Sequence, residues 1–248
     1  MRILAGNFGE LRYQGERIVY QIVRRPAVKR RVHLELGEDG SLQVVAPRRM
    51  SRASVHAFLK SWAPGVQRFL VEARARQREI PSYRYVSGER HLYLGQTWPL
   101  EVRSSENRRS HVALVNGRIR MEVVSPGPQA VQKQLQRWYR ERAHAEFSER
   151  LAAIARRAPW TRGQVPDMRL RLMKRTWGNC SAGGLITLNP HLVKAPPELV
   201  DYVIAHEICH LREHNHGKAF YALQNRLYPN WREARERLKT QGHRYLHT

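Results

Sequence analysis

The run His206-Glu207-Ile208-Cys209-His210 lies in a stretch of helical spacing whose apolar set is Leu199, Val200, Val203, Ile204, Ile208 and Leu211. A helix places residues i and i+4 on one face, about 6 Å apart along its axis. Two imidazoles so placed can share one metal ion, and Glu207, one position on, can hold a water beside it. The chain must therefore bury this helix and bring a third ligand back to it. Pro196-Pro197-Glu198 opens the helix, since proline suits a first turn and glutamate suits its positive end. Four of the chain's 12 histidines fall between residues 206 and 216. His214 continues the stripe, but on an unbroken helix it lies about 12 Å from His206, whereas zinc–nitrogen bonds are about 2 Å. The chain has to turn first. Asn215 and Gly217 tolerate the left-handed conformation that ends helices, and His216 between them can swing back to the metal. His216 is preferred over His214 as the third ligand, and His214 reads as an outward-facing side chain or one that supports a ligand.

The rest of the chain changes character once. Residues 17–46 alternate as strands: Ile18, Tyr20 and Ile22; Val32, Leu34 and Leu36; Leu42, Val44 and Ala46, with a turn at 37–41 between the last two. A helix capped by Ser51 or Ser54 runs to about Arg78, kinked or broken at Pro64. Strands return over 83–124, with turns at Gly95-Gln96-Thr97 and Asn116-Gly117. Ser125-Pro126-Gly127-Pro128 interrupts them, and helical spacing follows from Gln129 to about Arg157. Short strands are expected from Met168 to Met173, around Trp177–Ser181 and over Leu185–Leu188, then helices over Lys218–Leu227 and Trp231–Lys239. No internal repeat is visible. The fold class is α+β, with a strand-rich region over 1–125 and a helix-rich zincin-like domain over 126–248, packed as one unit or as two.

Composition excludes several alternatives. Hydrophobic residues make up 42% and charged residues 26%, so a chain of 248 residues can build a real core and is neither disordered nor fibrous. Its apolar runs are too short for a membrane span, and the first residues lack the apolar core of a signal peptide. The expected compartment is the cytoplasm. Cys180 and Cys209 cannot form a disulfide framework, and Cys209 reads as a small buried apolar residue. The net charge is +23, with only seven lysines among the 44 basic residues. Such a charge favours an acidic partner, nucleic acid first, or reflects solvated surface alone.

Three segments in order carry a resemblance: Trp177-Gly178-Asn179-Cys180-Ser181, then Leu185-Ile186-Thr187-Leu188-Asn189, then Asp201 to Leu211 with Asn215-His216 and Phe220-Tyr221. They resemble the YgjP-like zinc metallopeptidases, related to the SprT family, whose members typically read WGSC, a strand ending in LN, DYVxxHExCH and NHxxxFW. Asn179 stands for the usual serine and Tyr221 for the usual tryptophan. The spacing from His206 to His216 also equals the metzincin pattern, but Glu213 stands where that pattern has glycine. The resemblance implies a zincin-like domain and a zinc-dependent peptidase, with one zinc ion per chain on His206, His210 and His216 and Glu207 as general base. It further suggests that Leu185, Ile186, Thr187 and Leu188 form an edge strand that pairs with an extended peptide or protein substrate. An oxyanion stabiliser is expected, with His214, Tyr221 and Arg175 as candidates. The alternatives are a nucleic-acid-binding module with a mainly structural zinc site, a zinc hydrolase of a non-peptide amide, and a peptidase recruited by nucleic acid, as in the SprT relatives that digest DNA-crosslinked protein.

Overall fold

The computed structural model describes residues 7–246 apart from 27, 29, 30, 38, 80, 106–109, 174 and 175. Packing divides the chain into two compact units, 1–80 and 81–248.

In the first unit, β1 (Phe8–Tyr13), β2 (Glu16–Arg24), β3 (His33–Leu36) and β4 (Leu42–Ala46) form a sheet in the order β1-β2-β4-β3. β2 and β4 are parallel, and the outer pairs are antiparallel. Tyr20 stands opposite Leu42 and Ile22 opposite Val44, so one face of alternating apolar residues is buried. Helices α1 (Arg52–Ser61) and α2 (Ala63–Arg78) complete the core with Val55, Leu59, Val66 and Leu70. Ser51 caps α1, its hydroxyl accepting from the Ser54 amide at 3.0 Å. The helix breaks at Trp62, with Pro64 in the first turn of α2, where its missing amide hydrogen is not needed.

In the second unit, β5 (Arg90–Tyr93), β6 (Gln96–Ser104), β7 (His111–Val115) and β8 (Arg118–Val123) form a sheet in the order β5-β6-β8-β7. Its central pair is again parallel and its outer pairs antiparallel. The two sheets share one topology, a structural repetition that residue patterning does not show. Each opening hairpin turns on a left-handed pair, Gln14-Gly15 (φ 48° and 80°) and Leu94-Gly95 (φ 49° and 77°), as a type I′ turn requires. The expected change of character at 125–126 lies inside this unit, at the start of α3 (Pro128–Arg156). Leu100, Ile119 and Met121 of the sheet share a core with Val131, Leu135 and Trp138 of α3, so a switch of periodicity there is not a break in packing.

β9 (Met168–Leu170), β10 (Gly178–Cys180) and β11 (Ile186–Leu188) follow, then α4 (Pro197–His210), α5 (Lys218–Leu227) and α6 (Trp231–Gln241). α4 packs against α3, α5, α6 and β10. Its residues Leu199, Val200, Ile204, Ala205 and Ile208 have no exposed surface. Asp201 ties α4 to α3 by accepting from Arg150 at 2.8 Å, and the Trp160 indole donates to the Ile208 carbonyl at 2.9 Å. No helix among the described residues is long and apolar enough to cross a membrane.

Candidate metal centre

His206 and His210 lie one turn apart on α4, ring centroids 4.9 Å apart. The helix ends at His210, where the amides of Arg212 and Glu213 both return to the Cys209 carbonyl. The chain then reverses and brings His216 Nε2 to 3.0 Å from His206 Nε2. Neither Asn215 nor Gly217 adopts the left-handed conformation expected of them. Gly217 is instead extended, at φ −88° and ψ −172°, and starts α5. Phe220, fully buried, underlies the cluster, its ring 4.9, 4.6 and 4.6 Å from those of His206, His210 and His216.

The donor atoms of the three histidines lie within 4.8 Å of one another. Nitrogen ligands at about 2 Å from a tetrahedral zinc stand roughly 3.3 Å apart, so the cluster fits one such ion. His210 Nδ1 lies 2.9 Å from the Glu213 carbonyl. A carbonyl only accepts, so Nδ1 carries the proton and Nε2 keeps its lone pair for a metal. Burial, and then the neighbouring His210 and His216, push His206 down to about 4. Burial also lowers His210. Both are neutral at pH 7, the state in which imidazole is a ligand. Two imidazole nitrogens facing each other at 3.0 Å need a shared proton or a shared cation, which is a second sign of fit.

Glu207 is 4% exposed. Burial pushes its carboxyl up to about 8, and Oε2 has no hydrogen-bond partner among the described residues. Such an oxygen is unfavourable in a core unless something reaches it. Room for the carboxyl comes from Gly178 on β10, where a Cβ would stand 2.6 Å from Glu207 Oε1 and 2.8 Å from Cγ. Glu207 lines a cleft of about 560 Å³ with His206, His216, Tyr202, Tyr221, Trp177, Trp231 and Arg235.

The other expected site residues divide. Tyr221 lines the cleft, 6.3 Å between ring centroids from His216 and stacked on Trp231 at 5.0 Å. His214 is exposed and does not line the cleft. Arg175 lies outside the described residues. The edge-strand expectation for Leu185–Leu188 is corrected. β11 is the middle strand of its sheet, antiparallel to β10 on one side and parallel to β9 on the other, and Ile186, Thr187 and Leu188 are all buried. With both sides hydrogen-bonded it has no free edge. Among the described residues, the edge beside α4 belongs to β10. Cys209 is fully buried, as expected.

Several cleft residues escape a reading of the sequence. Gly178 is visible only as part of a motif. Tyr202 precedes His206 by one turn, and nothing in its spacing separates a core tyrosine from a cleft one. Trp231 and Arg235 come from α6, which the sequence marks only as a helix. Gln224 of α5 is fully buried, and its side-chain amide has no hydrogen-bond partner among the described residues.

The model of the YgjP-like metallopeptidase domain matches residues 30–241. Among solved structures, the metallopeptidase zymogen abylysin of Pyrococcus abyssi is similar at 26% identity, covering 38% of this chain and 93% of that one, with a TM-score of 0.34. No curated protein matches the chain. A metallopeptidase needs a metal, typically zinc, and the three histidines form a cluster able to hold one. The family match runs through both compact units and through every segment that builds this cleft, and the chain belongs to the YgjP-like family of metallopeptidases.

Proposed function

We propose that the chain is a zinc peptidase in which His206, His210 and His216 hold the metal and Glu207 is the general base. The observation that carries this reading is the buried Glu207 carboxyl beside three convergent imidazoles, with an oxygen that no donor among the described residues satisfies. A purely structural site would be closed by four protein ligands and would need no such group. Zinc held there would acidify a water and polarise the scissile carbonyl.

The chain's own groups supply the rest. Glu207 takes the proton of the attacking water and returns it to the leaving amine. The Gly178–Cys180 edge of β10 receives an extended substrate as an added strand. The Tyr221 hydroxyl donates to the oxygen on which charge develops. Two unpaired cysteines suit a reducing cytoplasm, and the charge of +23 supports recruitment to substrates by nucleic acid.

The test is mass-spectrometric mapping of products from unfolded proteins and peptide mixtures. Cleavage that a chelator abolishes and one equivalent of zinc restores is expected, whereas a zinc-loaded chain that cuts none of them contradicts the reading.

A further inference from the structure

The charged residues of α6 are mostly partnered. Arg237 bonds Glu198 at 3.0 Å, Lys239 bonds Glu236 at 3.2 Å, and Arg232 lies over the Trp231 ring at 4.5 Å. Arg235, one turn after Trp231, differs from them. It is exposed, lines the same cleft as His206 and Glu207, and makes no hydrogen bond or ion pair with any described residue. Among the described residues, Glu207 is the only acid lining the cleft, and Arg235 is not paired with it. Trp177, Tyr202, Tyr221 and Trp231 make up much of the remaining wall, with Thr176 and aliphatic side chains beside them. A guanidinium is planar and always charged, and its fork of donors matches a carboxylate. Set in a cleft whose one described acid it does not bind, Arg235 has no carboxylate partner among the described residues, and a substrate can bring one.

We propose that Arg235 is a specificity-determining residue that pairs with a carboxylate of the bound peptide. This rests on the peptidase reading of the cleft. The carboxylate can come from an Asp or Glu side chain near the scissile bond or from a free C-terminus, and the chemistry at Arg235 is the same for both.

The experiment uses the zinc-loaded full chain and quenched fluorescent peptides built on one scissile sequence. One set carries Glu, Gln or Lys at positions flanking the bond with an amidated end. A second set is neutral, with a free or an amidated C-terminus. For wild type, kcat/KM is expected to be about tenfold higher for the carboxylate member of one set than for its amide counterpart, as for a charge-assisted bond at a partly exposed site. The set that shows the ratio identifies the source. In Arg235→Gln the ratio falls to about one, and Arg235→Lys recovers part of it as a point charge. The ratio is the readout because a general loss of activity does not move it, and zinc content and melting temperature show that the variants fold. A wild-type ratio near one in both sets overturns the proposal, as does a tenfold ratio that survives Arg235→Gln. Wild type that cuts no peptide overturns the peptidase reading, and the role of Arg235 falls with it.

Discussion

Replacing Gly178 with alanine puts a methyl carbon where the Glu207 side chain now lies. The added Cβ would stand 2.6 Å from Oε1, 2.8 Å from Cγ and 2.9 Å from Cδ, whereas ordinary contact begins at 3.4 Å. The glutamate must therefore retreat as a unit, by roughly 0.8 Å at its nearest oxygen. It has little space to do so, being 4% exposed. Gly178 is not in the left-handed region, so alanine adds contact and no backbone strain. A catalytic group misplaced by about 1 Å loses roughly 10²-fold in rate, or about 2.7 kcal/mol of activation free energy. Gly178→Ala is therefore expected to lower kcat on a peptide substrate about 100-fold while binding zinc in the wild-type ratio, because the three histidines are not touched. In a Glu207→Gln background the same change should add little, since both act through one group. A variant that keeps kcat within about threefold of wild type refutes the reasoning. One that loses its zinc does so as well, since the methyl would then be disturbing the ligands and not the base.

Tyr221→Phe removes one hydroxyl and keeps the ring stacked on Trp231. Steady-state kinetics should show kcat down about 10²-fold with KM little changed, whereas the exposed His214, as alanine, should leave both within about twofold. Lys194 gives a stability prediction. It is 2% exposed, and burial pulls it down to about 7 from its ordinary 10.5, although its ammonium meets His191 Nδ1 at 3.0 Å and lies 4.7 Å from the Tyr139 ring centroid. Between about pH 7 and 10.5 the unfolded chain holds this proton more tightly than the folded one, so Lys194 makes stability rise with pH across that window and is most unfavourable below it. Lys194→Met should remove that rise in chemical denaturation curves and stabilise the fold at pH 6, by up to about 5 kcal/mol on the full shift. A pH slope that persists in the variant would assign it to other groups.

The helices were legible because each announces itself locally. Pro197-Glu198 starts α4, Ser51 caps α1, and the apolar spacing of Val131, Leu135 and Trp138 marks α3. The metal cluster was legible for the same reason, since the eleven residues 206–216 hold all three histidines and one reversal returns His216. What depends on partners distant in sequence was not legible. Nothing in Leu185–Leu188 says that β9, about 18 residues earlier, takes its second side. The left-handed turn at Gln14-Gly15 is made without the Asn-Gly signal that marks Asn116-Gly117, so β1 went unread. Arg235 enters the cleft only through the packing of α6 on α4, which no local pattern encodes.

The most direct measurement pairs zinc content with cleavage for wild type and Glu207→Gln on a denatured protein substrate. Glutamine keeps the shape of the buried side chain and cannot take a proton. Both proteins are predicted to hold one zinc ion per chain, with wild type cutting and the variant slower by about 10³-fold or more. A variant that holds zinc and cuts at close to the wild-type rate would contradict the assignment of Glu207 as the base.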